Sequence, residues 1–182
     1  ACQQFCETGN INHDELSPYP SIRFGLETAL WQWQRNGSAA LSQTAFARGK
    51  MGIPINGLVW MGTFEEMAAR IEEKLNLGFR CVKLKIGAID FDRELQLLKD
   101  IRATFSPHQV ELRVDANGAF ATDEALSKLE ELAKLDLHSI EQPIAKGQWR
   151  EMAELCKRSP LPIALDEELI GVNTLDAKEE LL

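Results

Sequence analysis

The chain is short of positive charge, of cysteine and of long apolar runs, and each shortage argues against a class of function. Its 182 residues hold 20 lysines and arginines against 28 aspartates and glutamates, a net charge of −8. Phosphate backbones are bound by basic surfaces, so nucleic acid is not the expected partner. The four cysteines, Cys2, Cys6, Cys81 and Cys156, are too scattered for a disulfide framework and lack the paired spacing of a zinc site. They are expected to be reduced thiols that pack like small apolar residues. No apolar run reaches the roughly 18 residues of a membrane span, and the N-terminus has no basic segment followed by an apolar one. A cytoplasmic protein with no membrane partner is the expectation. A dinucleotide fingerprint is missing as well, because INGLVWMGTFEE has only Gly57 and Gly62.

What is present is a repeated alternation of strand and helix patterns. With 45% hydrophobic residues the chain can bury a core. SIRFGLETALWQWQ, Ser21 to Gln34, carries Ile22, Leu26, Ala29, Leu30 and Trp33 as the apolar stripe of a helix, and Asn36-Gly37 ends it. From Pro54 the rhythm is regular. INGLVWMG reads as a strand, and Thr63 with Glu66 forms a capping-box pattern for a helix to about Asn76. RCVKLKIG, VELRVDANG, LHSIEQPI and PLPIALDEE read as four more strands. Helices follow them over about Asp90 to Thr104, Thr122 to Leu135, Gly147 to Lys157 and Asn173 to Leu182. Five alternating pairs make a parallel sheet covered by helices. A doubly wound sheet and part of a (β/α)₈ barrel both fit, and the missing glycine-rich turn favours the barrel.

Charged residues recur at the ends of these strands. In RCVKLKIG the alternation puts Cys81, Lys83 and Lys85 on one face. On an edge strand such lysines would merely block aggregation. Asp115 ends the third strand, sharing a face with Arg113 and Asn117; Glu141 ends the fourth, before Pro143; Asp166 ends the fifth. They recur about one βα repeat apart, at the end where both architectures place their active groups. Three converging carboxylates need a cation, and hard oxygen ligands suit Mg²⁺. Asn117 and Glu167 are placed to orient those ligands from behind. Lys85 stands nearer the mouth and Lys83 one step deeper. A lysine beside a metal and a second cation can act as a neutral base, which is chemistry for taking a proton from carbon next to a carboxylate. Trp60 is expected to line the site. Trp31, Trp33 and Trp149 are expected in the core or an interface, and His13, His108 and His138 have no role.

The Lys-x-Lys of VKLKIG, the Asp-x-Asn of RVDANGAF, SIEQPI and the Asp-Glu of ALDEEL follow the order of motifs in the enolase superfamily. The chain resembles its muconate-lactonizing subgroup over roughly residues 20 to 182. Within the subgroup, PINGLVWMG and RFGLETALWQW most resemble the o-succinylbenzoate synthases. The resemblance implies a partial (β/α) barrel of about five βα units over 53–182, preceded over 1–52 by the C-terminal part and linker of an α+β capping domain. It implies that Asp115, Glu141 and Asp166 bind Mg²⁺, that Lys85 is the general base, and that Lys83 shapes its pKa, a lysine and magnesium pairing known in the superfamily.

The reaction so implied is Mg²⁺-dependent dehydration of a small-molecule carboxylate, 2-succinyl-6-hydroxy-2,4-cyclohexadiene-1-carboxylate, to o-succinylbenzoate in menaquinone biosynthesis. The resemblance also implies another lysine on a sixth strand and most of a capping domain. The expectation is therefore a piece of a longer polypeptide, with little turnover alone. Three other readings are an N-acylamino acid racemase or dipeptide epimerase of the same subgroup, a non-catalytic metal-binding domain, and a plain α/β interaction module. The oligomeric state is left open.

Overall fold

The structure is a computed structural model that describes residues 2–38, 40 and 42–181, leaving Leu182 and the side chain of Cys2 outside the described residues. The expectations for that thiol and for the end of the last helix fall there. The chain divides into two compact units, Ala1–Pro54 and Ile55–Leu182.

The first unit has three helices: α1, Cys2–Thr8; α2, His13–Leu16; and α3, Pro20–Gln34. Pro20 opens α3, because its fixed φ and missing N–H suit a first helical turn. Asn36 and Gly37, at φ 53° and 81°, close it with a left-handed turn. The stretch read as a helix forms one, but Trp33, expected in the core or an interface, is not in the core. No residue of α3 is buried, and Trp33 is 72% exposed. The two short helices before it contribute one buried apolar side chain, Leu16, among the described residues, too little to cover a stripe fifteen residues long.

The second unit runs β1 (Gly57–Val59), α4 (Phe64–Asn76), β2 (Cys81–Lys85), α5 (Phe91–Thr104), β3 (Glu111–Asp115), α6 (Thr122–Ala133), β4 (Ser139–Glu141), α7 (Trp149–Arg158), β5 (Ile163–Ala164), a 3₁₀ turn (Glu167–Leu169) and α8 (Leu175–Glu180). The five strands are parallel and lie in chain order, β1-β2-β3-β4-β5. A doubly wound sheet reverses its strand order partway, whereas a barrel adds each strand beside the last. The fold is a partial (β/α) barrel.

Local chemistry sets the helix starts. The Thr63 hydroxyl accepts from Glu66 N at 3.3 Å while the Glu66 carboxylate accepts from Thr63 N at 2.9 Å, the reciprocal capping box. Asp90 caps α5 by accepting from the amides of Asp92 and Arg93. Strand alternation then divides the sheet. Val82, Leu84, Leu112, Val114 and Ile140 are buried in one apolar cluster with Met67, Leu98, Leu129 and Leu132 of the helices. Each such side chain contributes about 1.5–3 kcal/mol. Cys81, Lys83 and Lys85 alternate with them and stay partly accessible.

All five strands are shorter than their sequence patterns, and for β1 and β5 this moves a residue singled out in the sequence. β1 stops at Val59, so Trp60 lies just past it and is 57% exposed. β5 has only two residues, and its pairing with β4 ends at the level of Glu141, opposite Ala164. Asp166 therefore does not end a strand. It is exposed and sits one step before the 3₁₀ turn, at φ −130° and ψ −79°. The pattern continues through Leu165 and Asp166, but β5 has β4 for a partner on one side only, and the ladder stops where that partner stops.

Candidate active site

The register brings the charged residues to one level. Lys85 pairs with Asp115 across β2 and β3, and Asp115 with Glu141 across β3 and β4, all at the carboxyl ends of their strands. Lys83 starts one step deeper, beside Arg113. Its Nζ still reaches Asp115 Oδ2 at 2.9 Å and Glu141 Oε2 at 2.7 Å. Lys85 Nζ donates to the same Asp115 Oδ2 at 2.5 Å and to Asn117 Oδ1 at 2.9 Å. The Asp115 side chain is fully buried, and its other oxygen accepts the Asn117 amide at 3.0 Å. Asn117 adopts φ 44°, a left-handed turn that asparagine tolerates.

Burial and pairing compete at each group. Burial would push the Lys83 ammonium down, but hydrogen bonds and charge from Glu141 and Asp115 outweigh it and raise its pKa. Burial would push Asp115 up, but bonds from Lys85, Lys83 and the Asn117 amide win and hold it below the usual carboxylate range. Glu141 goes the other way: burial and its closeness to Asp115 raise it, against the pull of Lys83. Asp115 has two lysines and a backbone amide where Glu141 has one lysine, so Asp115 is the stronger acid of the pair.

Of the residues singled out in the sequence, Lys83, Lys85, Asp115, Glu141 and Asn117 come together. Glu167 joins them through Asn117, whose Nδ2 donates to Glu167 Oε1 at 2.9 Å. Asp166 stays outside the cluster. Among the described residues no three of His, Cys, Asp and Glu are grouped closely enough to hold a metal ion. The donor chemistry nonetheless fits a hard divalent cation. Two carboxylate oxygens from adjacent strands converge on one positive point, supplied here by Lys83 Nζ. Glu167 Oε2 is buried without a hydrogen-bond partner among the described residues, an acceptor left unsatisfied. Trp60 stands at the rim, its ring centroid 5.7 Å from Lys85 Nζ, and its carbonyl is held by Arg70 Nη1 at 2.9 Å.

Three buried polar residues were not singled out in the sequence. Glu94, on α5, accepts the amides of Gly87, Ala88 and Ile89 and so fixes the loop that leaves β2 just after Lys85. Gln142, after Glu141, is fully buried, and Glu168 is 5% exposed; their bonds link the loops that follow β4 and β5. A signal for Gln142 was available: alternation puts it opposite Glu141, on the core side, where a polar side chain needs partners.

A family model described as enolase C-terminal domain-like matches residues 66–177. The chain is 54% identical over 154 residues to the o-succinylbenzoate synthase of Desulfotalea psychrophila (strain LSv54 / DSM 12343), covering 85% of this chain and 42% of that relative. Its structure is similar to that of MenC from Desulfotalea psychrophila LSv54, with TM-score 0.67 and 51% identity over 77% of this chain and 39% of that one. It is also similar to the o-succinylbenzoate synthase of Thermosynechococcus elongatus BP-1 complexed with magnesium in the active site. That match has TM-score 0.58 and 27% identity, over 64% of this chain and 37% of the other. The chain thus spans less than half the length of these relatives. Among the described residues, no helix is long and apolar enough to cross a membrane.

Proposed function

The chain belongs to the enolase C-terminal domain-like family, and on that premise we propose that it forms the lysine- and carboxylate-bearing part of an o-succinylbenzoate synthase. The substrate is then 2-succinyl-6-hydroxy-2,4-cyclohexadiene-1-carboxylate, a small-molecule carboxylate, and the reaction is its dehydration. One observation carries the reading: two lysines from one strand meet a single buried oxygen, Asp115 Oδ2, at the carboxyl end of a parallel sheet. The likeness to the Desulfotalea synthase supports the substrate. Residues 1–52 are read as the end and linker of a capping domain.

The amine form of Lys85 is the base. It takes the proton from the carbon alpha to the ring carboxylate, and the electrons released expel the ring hydroxyl as hydroxide. A C–H and a C–O bond break, the ring gains its third double bond, and the elements of water leave. Because the product is aromatic, the expulsion is downhill and needs little help from an acid. Lys83, held as an ammonium by Glu141 and Asp115, keeps both carboxylates facing the mouth and adds positive charge beside the base. Asp115 and Glu141 are assigned from their convergence, and Asp166 from the family resemblance alone, as the residues that would hold Mg²⁺, with Asn117 and Glu167 orienting them. When bound, the cation supplies charge to oppose the second negative charge that develops on the substrate carboxylate. Trp60 is assigned to the substrate side of the rim.

In a polypeptide of the relatives' full length carrying these 182 residues, the cyclohexadiene absorbance is expected to fall with Mg²⁺ present and to persist in excess EDTA. Lys85→Ala is expected to lower kcat by about 10²–10⁴-fold, the worth of a positioned base, with Mg²⁺ affinity retained. A folded, Mg²⁺-binding protein that leaves this substrate intact and instead racemises N-acylamino acids or epimerises dipeptides overturns the synthase reading.

A further inference from the structure

Gln142 follows Glu141 directly, is fully buried, and has a left-handed backbone with φ 40°. Its amide fills all four of its hydrogen-bonding positions. Oε1 accepts the Asp166 amide at 3.1 Å and the Glu168 amide at 3.3 Å. Nε2 donates to the Ile144 carbonyl at 3.0 Å and to Glu168 Oε2 at 3.3 Å. The main chain of the same residue donates to the Ala164 carbonyl at 2.9 Å and accepts the Gly118 amide at 2.7 Å. Glu168 extends the link by accepting the Gly147 amide at 2.8 Å. One buried residue thus joins the loops that leave β3, β4 and β5.

A buried amide and a left-handed non-glycine backbone are both costly, and neither is needed to fill core volume, which leucine would fill more cheaply. The cost has a return at the turn that carries Asp166 and Glu167. Asp166 is exposed, and its backbone amide is anchored on Gln142. Glu167, next to it, reaches Asn117 and through Asn117 the Lys85–Asp115 pair. The height of this turn relative to Glu141 is therefore set by the Gln142 amide.

We infer that Gln142, together with Glu168, is a positioning residue that holds the Asp166–Glu167 turn in register with Glu141, so that cation affinity depends on a side chain that does not itself face the cation. The inference rests on the reading of Asp115, Glu141 and Asp166 as the cation's ligands. Gln142→Leu keeps the bulk and removes all four bonds. Glu168→Gln keeps the shape but turns one acceptor into a donor that faces either Gln142 Nε2 or the Gly147 amide. Leu129→Ala, in the fully buried core of α6, serves as the control for lost stability alone.

The measurement is titration calorimetry with Mg²⁺ on the full-length polypeptide, its variants below their melting temperatures. Gln142→Leu and Glu168→Gln are expected to weaken Mg²⁺ binding by about 10–100-fold, the usual effect of losing a group that orients a ligand. Leu129→Ala, with a comparable fall in Tm, is expected to stay within about two-fold of the parent, as a substitution remote from the ligands should. If folded Gln142→Leu binds Mg²⁺ as tightly as the parent, Gln142 only fills the core and the inference falls while the ligand assignment stands. If Gln142→Leu does not fold, Glu168→Gln decides the matter by the same criterion. If the parent binds no Mg²⁺, the ligand assignment falls and takes the inference with it.

Discussion

Asp115 carries the electrostatics of the cluster at the scale of single residues. Its side chain is fully buried between two ammonium groups. Removing its charge leaves Lys85 without its carboxylate partner and Lys83 with Glu141 alone, and breaking a buried pair from one end costs about 3–5 kcal/mol. Asp115→Asn is expected to lose that much in a urea melt in the absence of metal. The sign of the pH effect follows from its lowered pKa. The carboxyl is more acidic folded than unfolded, so its contribution to stability is complete above the unfolded value of about 3.9 and is lost as pH falls below it. Cys81 shows the opposite sense. Burial, and then its S–H bond to Glu111, push the thiol up to about 11. At pH 8 only about one part in a thousand is thiolate, the reactive form. Iodoacetamide labelling followed by peptide mapping is expected to modify exposed Cys6 well before Cys81.

The helix starts and the faces of the strands were legible at the scale of elements because both are local. The Thr63–Glu66 box was visible in the sequence and forms as read. Thr63→Ala is expected to cost about 1 kcal/mol in thermal unfolding, the worth of an N-cap. Alternation placed Lys83 and Lys85 on one face and Val82 and Leu84 on the other, as the structure has them. Strand ends were less legible, since they depend on a neighbour distant in sequence. Asp166 was read as a strand end from its pattern, and the end is in fact fixed by where β4 stops. The helix read from the stripe of α3 forms, but periodicity says which side is apolar and not whether anything covers it. Glycines mark the tight places. Gly87 adopts φ 91°, and a Cβ there would lie within 2.4 Å of the Ala119 Cβ. Gly87→Ala is expected to destabilise by at least the 1–3 kcal/mol of backbone strain, read as a lower urea midpoint.

At the scale of the whole molecule the alternation of strand and helix patterns pointed to a parallel sheet, but the order of its strands was not legible and comes from the structure. Alternation alone could place Gln142 on the core side, but its partners in the loops after β4 and β5 were hidden, because only three-dimensional closure brings them to it. The division at Pro54 also has a measurable sign. The described residues from 42 to 54 form turns and bends rather than helix or strand and are largely exposed. Limited proteolysis is expected to cut there first, at Arg48 or Lys50 with trypsin, leaving a resistant fragment that mass spectrometry places over the sheet.

Because each strand pairs only with its predecessor and successor, the order of the sheet is also the order of emergence from a ribosome. Domains fold as units, the N-terminal ones first during synthesis. β2 delivers Lys83 and Lys85 before β3 delivers Asp115, and β3 precedes the Glu141 of β4. Both lysines of the cluster have therefore been synthesised before Asp115 and Glu141. Vectorial synthesis makes the counterions ahead of these acids, so the fully buried Asp115 has both of its lysines available when the barrel folds.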